Sequence, residues 1–171
     1  MYKKLLSTLL ILTLVLGACM LPVAVFAEEG EPTADTDAAT DPSLNIELYT
    51  VPMRATVSIL YAIKSSSVTD TDDLKLVVLK GNSTSEVDPA GVMTISGEKY
   101  IIFEYTGLSA SEMRTTVSAY IRHGEARGEA VEYSVATFAA AYTAKGGQYV
   151  DLVSAMLAYG DSVAKLVAGK S

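Results

Sequence analysis

The stretch VMTISGEKYIIFEYTGLSASEMRTTVSAYIR, residues 92–122, decides the fold. Val92 to Ser96 and Lys99 to Tyr105 are rich in β-branched and aromatic residues around a Gly97-Glu98 connection, which predicts a β-hairpin. Gly107 ends the second strand. Ser109-Ala110-Ser111-Glu112 then has the spacing of a capping box, in which a serine oxygen accepts from an early helix amide and the glutamate reaches back to the serine N–H. One helical turn is expected there, with Leu108 and Met113 as its apolar contacts, before Thr115 to Arg122 resumes as a strand. A strand, a one-turn crossing and a strand carry a chain from one sheet of a sandwich to the other.

The flanks continue the pattern. Leu44 to Leu48 alternates apolar and polar residues, Ala55 to Ile63 is β-branched and aromatic, and Leu74 to Lys80 (LKLVVLK) reads as a strand buried on nearly both faces. The Ser, Thr and Asp cluster of Lys64 to Asp73 and the segment Gly81 to Gly91 read as loops. Glu129 to Tyr133 is a further strand, joined to Thr115–Arg122 by the turn after His123. With no crossover helices between them, about seven such strands predict an Ig-like antiparallel β-sandwich rather than an α/β sheet.

The period changes after Tyr133. Ser134 is a candidate N-cap for a helix over Val135 to Lys145, Gly146-Gly147 breaks it, and a second helix is expected from Gln148 to Ala168. Tyr149, Leu152, Val153, Met156, Tyr159 or Gly160, Val163, Leu166 and Val167 recur at three-and-four spacing, which predicts one stripe buried on the sandwich. Gly160 inside a helix costs about 1 kcal/mol relative to alanine. A close approach of another element there is the expected reason for it. The fold class is thus mainly β with C-terminal α, the sandwich occupying 43–134 and the helix pair 135–169.

The first 27 residues read as a signal peptide. Lys3 and Lys4 precede an apolar run from Leu5 to Leu16, and Val25-Phe26-Ala27 is a small-residue cleavage site. Leu16-Gly17-Ala18-Cys19 also resembles a bacterial lipobox, so a lipid anchor at Cys19 is the alternative to plain secretion. The apolar residues that follow, Met20 to Phe26, favour cleavage after Ala27. Residues 28–42, mostly acids and small residues, are expected to be a disordered linker.

Composition narrows the partners. The 171 residues carry a formal charge of −7, and removing a leader that holds two lysines and no acids leaves −9. Such a surface repels phosphate backbones and anionic lipid heads, which argues against nucleic acid and against membrane after cleavage, unless Cys19 is acylated. The single cysteine lies in the leader, so the remaining chain has no thiol for a disulfide, a thiolate metal site or a nucleophile.

Candidate chemistry is sparse. His123 is the only histidine, and it sits beside a turn with no base–nucleophile partner in sequence. Asp70, Asp72 and Asp73 resemble calcium ligands, but the turn glycine and distal glutamate of an EF-hand loop are missing. Ser162 and Lys165 have S-x-x-K spacing without the companion motifs of that catalytic class. Glu125 and Glu129 are a carboxylate pair of the kind glycosidases use, yet the chain has no tryptophan to line a sugar subsite. No cofactor is implied and no enzyme is expected. Of the ten tyrosines, Tyr61, Tyr105, Tyr133, Tyr149 and Tyr159 fall at core or rim positions. Tyr49, Tyr100, Tyr120 and Tyr142 are left as candidate surface aromatics for binding.

A set of short motifs carries a resemblance. Ser43-Leu44-Asn45-Ile46, Leu60-Tyr61-Ala62-Ile63, Ile95-Ser96-Gly97, Phe103-Glu104-Tyr105-Thr106-Gly107-Leu108, Ala110-Ser111-Glu112-Met113, Tyr133-Ser134-Val135 and Ala155-Met156-Leu157-Ala158-Tyr159-Gly160 follow in order. Together, from Ser43 to about Val167, they resemble a module of secreted and surface proteins of clostridial gut bacteria, a sandwich followed by a helix pair. Here Asp161-Ser162-Val163-Ala164 replaces that module's A-A-A-Q ending. The resemblance implies an extracellular accessory part with no assigned activity, so it transfers no catalytic residues. The function expected is an exported, non-catalytic extracellular or cell-surface module with an unknown protein or cell-wall partner. The alternative is a carbohydrate-binding module of a secreted polysaccharide-degrading system.

Overall fold

The computed structural model describes residues 40–52, 54 and 56–170. The leader, Cys19 and the linker up to residue 39 lie outside the described residues. Strand alternation makes the core. In β2 (Ile59–Lys64), Ile59, Tyr61 and Ile63 point inward and are fully buried. Ile101, Phe103 and Tyr105 do the same in β6 (Glu98–Tyr105). Facing them are Leu74, Leu76 and Val78 of β3 (Leu74–Lys80) and Val117, Ala119 and Ile121 of β7 (Val117–His123), all in one apolar cluster. Period-two burial from two sheets that share one core is the signature of a sandwich.

One sheet has the order β1-β2-β6-β5, with β1 at Leu48–Thr50 and β5 at Pro89–Ile95. The other runs β4-β3-β7, with β4 at Ser83–Val87. Both β8 (Ala126–Arg127) and β9 (Val131–Tyr133) pair with β7. Every strand pair is antiparallel. The β5–β6 turn has positive φ at both Ser96 (52°) and Gly97 (89°), which matches the right-handed twist of the strands it joins. After β6 the chain crosses to the second sheet through a 3₁₀ turn, Ala110–Glu112. The predicted capping box forms there, with Glu112 Oε2 accepting from Ser109 N–H at 2.9 Å.

Three expectations are corrected. Among the described residues nine strands form rather than about seven, because Gly81 to Gly91, expected as a loop, supplies β4 and the start of β5, and the turn after His123 holds the short β8. Strand β4 is an edge with few buried side chains, so it lacks the apolar alternation that marks a strand. Pro89 begins the edge strand β5, a position that needs no ladder N–H. Leu44 to Leu48 is not a strand. Pro42–Leu44 is a 3₁₀ turn capped by Asp41, whose side chain accepts from Ser43 N–H at 2.8 Å, and the ladder starts only at Leu48. The alternation of Leu44 and Ile46 reported burial rather than pairing. Order also reaches into the expected linker, since Thr40 bridges Arg127.

The helix pair lies in the same compact unit as the sandwich. Ser134 caps α1 (Val135–Ala144), its Oγ accepting from Thr137 N–H at 3.0 Å. The second helix, α2 (Val150–Ala168), approaches the 3₁₀ turn at Gly160, where an added Cβ would lie 2.8 Å from the Ala110 carbonyl oxygen. The contact expected of Gly160 is present. The single buried stripe is not, because α2 buries Val153 and Gly160, half-buries Met156 and Val163, and leaves Tyr149, Leu152, Tyr159 and Leu166 exposed. The apolar arc is wider than the surface available to cover it.

Candidate functional site

Titratable groups do not converge into a reaction centre on the described surface. Among the described residues, no three His, Asp or Glu side chains are grouped to hold a metal. His123 is half-buried at the β7–β8 turn, where it pairs in register with Leu74 and Ala126. Asp70, Asp72 and Asp73 are exposed, and Asp70 spends an oxygen on Asp72 N–H at 2.9 Å, an Asx turn. Ser162 Oγ donates to the Ala158 carbonyl at 2.9 Å, one turn back in α2, as hydroxyls in helices do. Glu125 and Glu129 are both exposed.

The strongest electrostatic cluster is structural. Glu112 accepts from Ser109 N–H, from Lys80 Nζ at 2.9 Å and from Ser109 Oγ at 2.8 Å, which brings its carboxyl down to about 2. Lys80 also donates to the Gly107 carbonyl at 2.9 Å, so this cluster ties β3 to the crossing turn. Near the C-terminal end of β6, Glu104 accepts from Arg54 at 3.1 Å and from the buried Ser58 hydroxyl at 2.8 Å. Both carboxylates have their charge satisfied within the domain.

The four tyrosines read as surface aromatics are separately placed. Tyr100 is buried, a correction to its expected place on the surface. It lies on the outer face of the four-stranded sheet with Ala62, Ile102 and Leu60, because β6 is apolar on both faces along Tyr100 to Phe103. Tyr49 meets Tyr133 edge to face, ring centroids 4.6 Å apart. The Tyr120 ring lies 5.5 Å from the Arg127 guanidinium carbon, a cation–π contact. Tyr142 packs on Phe138 at 5.7 Å and closely covers Gly147. Each of these four rings is therefore engaged by a neighbour. Tyr149 and Tyr159, read as core or rim, stand exposed on α2.

Among the concave features of the described residues, two are lined mainly by apolar side chains. A cavity of about 500 Å³ lies beside α2, walled by Val51, Pro52, Leu108, Met113, Met156 and Tyr159, with Arg54 and Thr56 at its edge. A groove of about 260 Å³ crosses the outer face of the four-stranded sheet. Its floor is Ala62 and Ile102 and its walls are Leu48 on β1 and Met93 and Ile95 on β5. The walls are exposed apolar side chains, where an antiparallel sheet with one solvated face ordinarily carries polar ones. Sequence reading missed the groove, although Leu60, Ala62 and Ile102 at outward strand positions were its signal.

Comparison with protein-family models, with curated proteins and with solved structures finds no match to this chain.

Proposed function

We propose that the chain is an exported, non-catalytic extracellular or cell-surface module that works by binding a protein partner. The outer-sheet groove carries this reading. Its lining is mostly apolar, with Leu48, Met93 and Ile95 projecting around an Ala62–Ile102 floor and Tyr49 at its side. Exposed apolar surface of this kind marks contact with protein side chains. A glycan would instead require an open aromatic face with polar groups beside it; the four candidate tyrosines have their rings engaged, and the exposed Tyr149 and Tyr159 do not line this groove. The sheet orders support an Ig-like assignment, because β1-β2-β6-β5 opposite β4-β3-β7-β9 corresponds to the ABED and C′CFG strands of that fold. Export rests on the leader, and the resemblance to secreted clostridial modules belongs to the same reading.

The test uses labelled chain from Glu28 to Ser171 added to intact producing cells, to protease-treated cells and to cellulose, xylan, starch and mucin. Binding to untreated cells is expected, lost on protease treatment and lost in Leu48→Asp and Met93→Asp. Retention on a polysaccharide that removal of Tyr49 or Tyr120 abolishes would replace this reading with the carbohydrate-binding one. Mass analysis of the exported protein tests its fate. Plain secretion gives an N-terminus at Glu28, and an acylated Cys19 would move the protein to the membrane surface.

A further inference from the structure

The cavity of about 500 Å³ beside α2 lies where three parts of the chain meet. The connection between β1 and β2 supplies Val51 and Val57, the crossing after β6 supplies Leu108 and Met113, and α2 supplies Met156 and Tyr159. Val51, Leu108 and Met113 are buried, so the floor is apolar and closed. Close backbone approach at Gly160 holds α2 on the crossing turn next to Met113, which fixes this wall without filling the space beside it. Small-molecule sites have volumes of ~300–1,000 Å³, apolar walls and a few placed polar groups.

The placed polar group is Arg54. Glu104 accepts from its Nη1 alone, at 3.1 and 3.2 Å, and the same carboxylate accepts from the buried Ser58 hydroxyl at 2.8 Å. Ser58, Glu104 and Arg54 thus form a chain that sets the guanidinium at the cavity's edge, beside the exposed Thr56 and Thr106. Nε and Nη2 of Arg54 have no partner among the described residues, which leaves them free to donate.

From this arrangement we infer that the cavity binds an uncharged aromatic small molecule through one acceptor oxygen. The walls select the ring. Two methionine thioethers and the Tyr159 ring attract aromatic surfaces, and methionine adapts its three rotatable bonds to a guest's outline. The guanidinium selects the oxygen, because arginine offers donors and no acceptor. The electrostatics select against charge. Arg54 and Glu104 cancel one another on an acidic chain, so an anionic guest finds no net counter-charge, and a cationic one faces the guanidinium. This cavity shares no lining residue with the outer-sheet groove, so neither reading depends on the other.

NMR of Glu28–Ser171 with labelled methionine methyl groups tests the inference, since Met113 and Met156 border the cavity and Met93 borders the groove. Met113→Leu and Met156→Leu assign the two signals, a change cores tolerate. The probe is 2-acetonaphthone, compared with naphthalene, which lacks the oxygen, and with 2-naphthoate, which carries a charge, each titrated to ~1 mM or its solubility limit. The ketone should shift the Met113 and Met156 methyls and leave Met93 in place, and both comparison compounds should bind roughly 3–10-fold more weakly, as expected for one hydrogen bond. Comparing the three compounds on the parent chain needs no variant. Arg54→Leu, at a side chain 55% exposed, should then remove the ketone's advantage and leave naphthalene binding unchanged. No response at Met113 and Met156, a response shared equally by Met93, naphthoate binding as tightly as the ketone, or an advantage that survives Arg54→Leu would overturn the proposal.

Discussion

Replacing Gly160 with alanine sets two effects of known sign against each other. In a helix interior alanine is favoured over glycine by about 1 kcal/mol, so on local grounds the substitution stabilises α2. The structure opposes it. The new Cβ would lie 2.8 Å from the Ala110 carbonyl oxygen, 2.9 Å from Met113 Sδ and 3.3 Å from Met113 Cγ. A backbone oxygen inside a capped turn cannot withdraw, so the Ala110 contact remains even where the Met113 thioether shifts into the cavity it borders. Relieving the overlap means lifting α2 from the turn, an overpacking cost of about 1–3 kcal/mol. The net expectation is a loss of about 1 kcal/mol, which lowers the melting temperature by roughly 3–6 °C for a domain of this size. Urea unfolding followed by circular dichroism measures it, with Ser154→Ala on the exposed side of the same helix as the propensity control. A Gly160→Ala protein as stable as the parent, or more so, would show that the α2 contact is loose and refute the packing described above.

Three further outcomes follow from buried and paired groups. Tyr61 is fully buried with its hydroxyl unpartnered among the described residues, and burial pushes its pKa well above the usual tyrosine range. Tyr61→Phe should therefore stabilise by about 1 kcal/mol, and its advantage should widen above pH ~10, where the unfolded parent ionises this phenol and the folded one resists. A destabilised phenylalanine variant would mean the hydroxyl has a partner. For Glu112, with its carboxyl held down to about 2, the stabilisation is present above pH ~4.5 and lost as pH falls towards 2. Glu112→Gln should cost about 0.5–1 kcal/mol at pH 7, a figure kept small because the side chain is 34% exposed, and melts at pH 7, 4 and 2 should show the gap closing. Adjacent residues of α2 should differ sharply. Val153→Asp buries a charge and should cost about 3 kcal/mol or more, while Leu152→Asp should stay within about 0.5 kcal/mol, and equal losses would contradict the rotation of the helix.

Those features that express themselves in local chemistry were readable in the sequence. Alternation over Ile59 to Ile63, Leu74 to Val78, Ile101 to Tyr105 and Val117 to Ile121 names the inward faces of both sheets, because a strand buried on one side must place its apolar residues two apart. Ser134 and the Ser109–Glu112 pair mark their turns through hydrogen bonds formed within four residues. Strand β4 left no such mark, since an edge strand facing water needs only main-chain pairing to β3. Tyr100 was misjudged for a related reason. Outward and inward residues of β6 are both apolar, and only the neighbouring Ala62 and Leu60, brought alongside by strand pairing, decide that its ring is covered.

The α2 stripe shows where periodicity stops being informative. A helix packed on one surface needs an apolar arc of about 100°, and the residues from Val153 and Gly160 round to Leu152, Tyr159 and Leu166 span more than that. Spacing alone merges two lines, the buried pair Val153 and Gly160 and the exposed series Leu152, Tyr159 and Leu166, because both recur every seven residues. What separates them is the rotation of the helix about its axis. One contact fixes that rotation. The helix backbone comes within van der Waals reach of the Ala110 carbonyl at Gly160, so Gly160 must point at the sandwich and Tyr159, one position before it and about 100° round the helix, must point aside. The excess width of the arc was the sequence's own indication that α2 has more apolar surface than its domain covers.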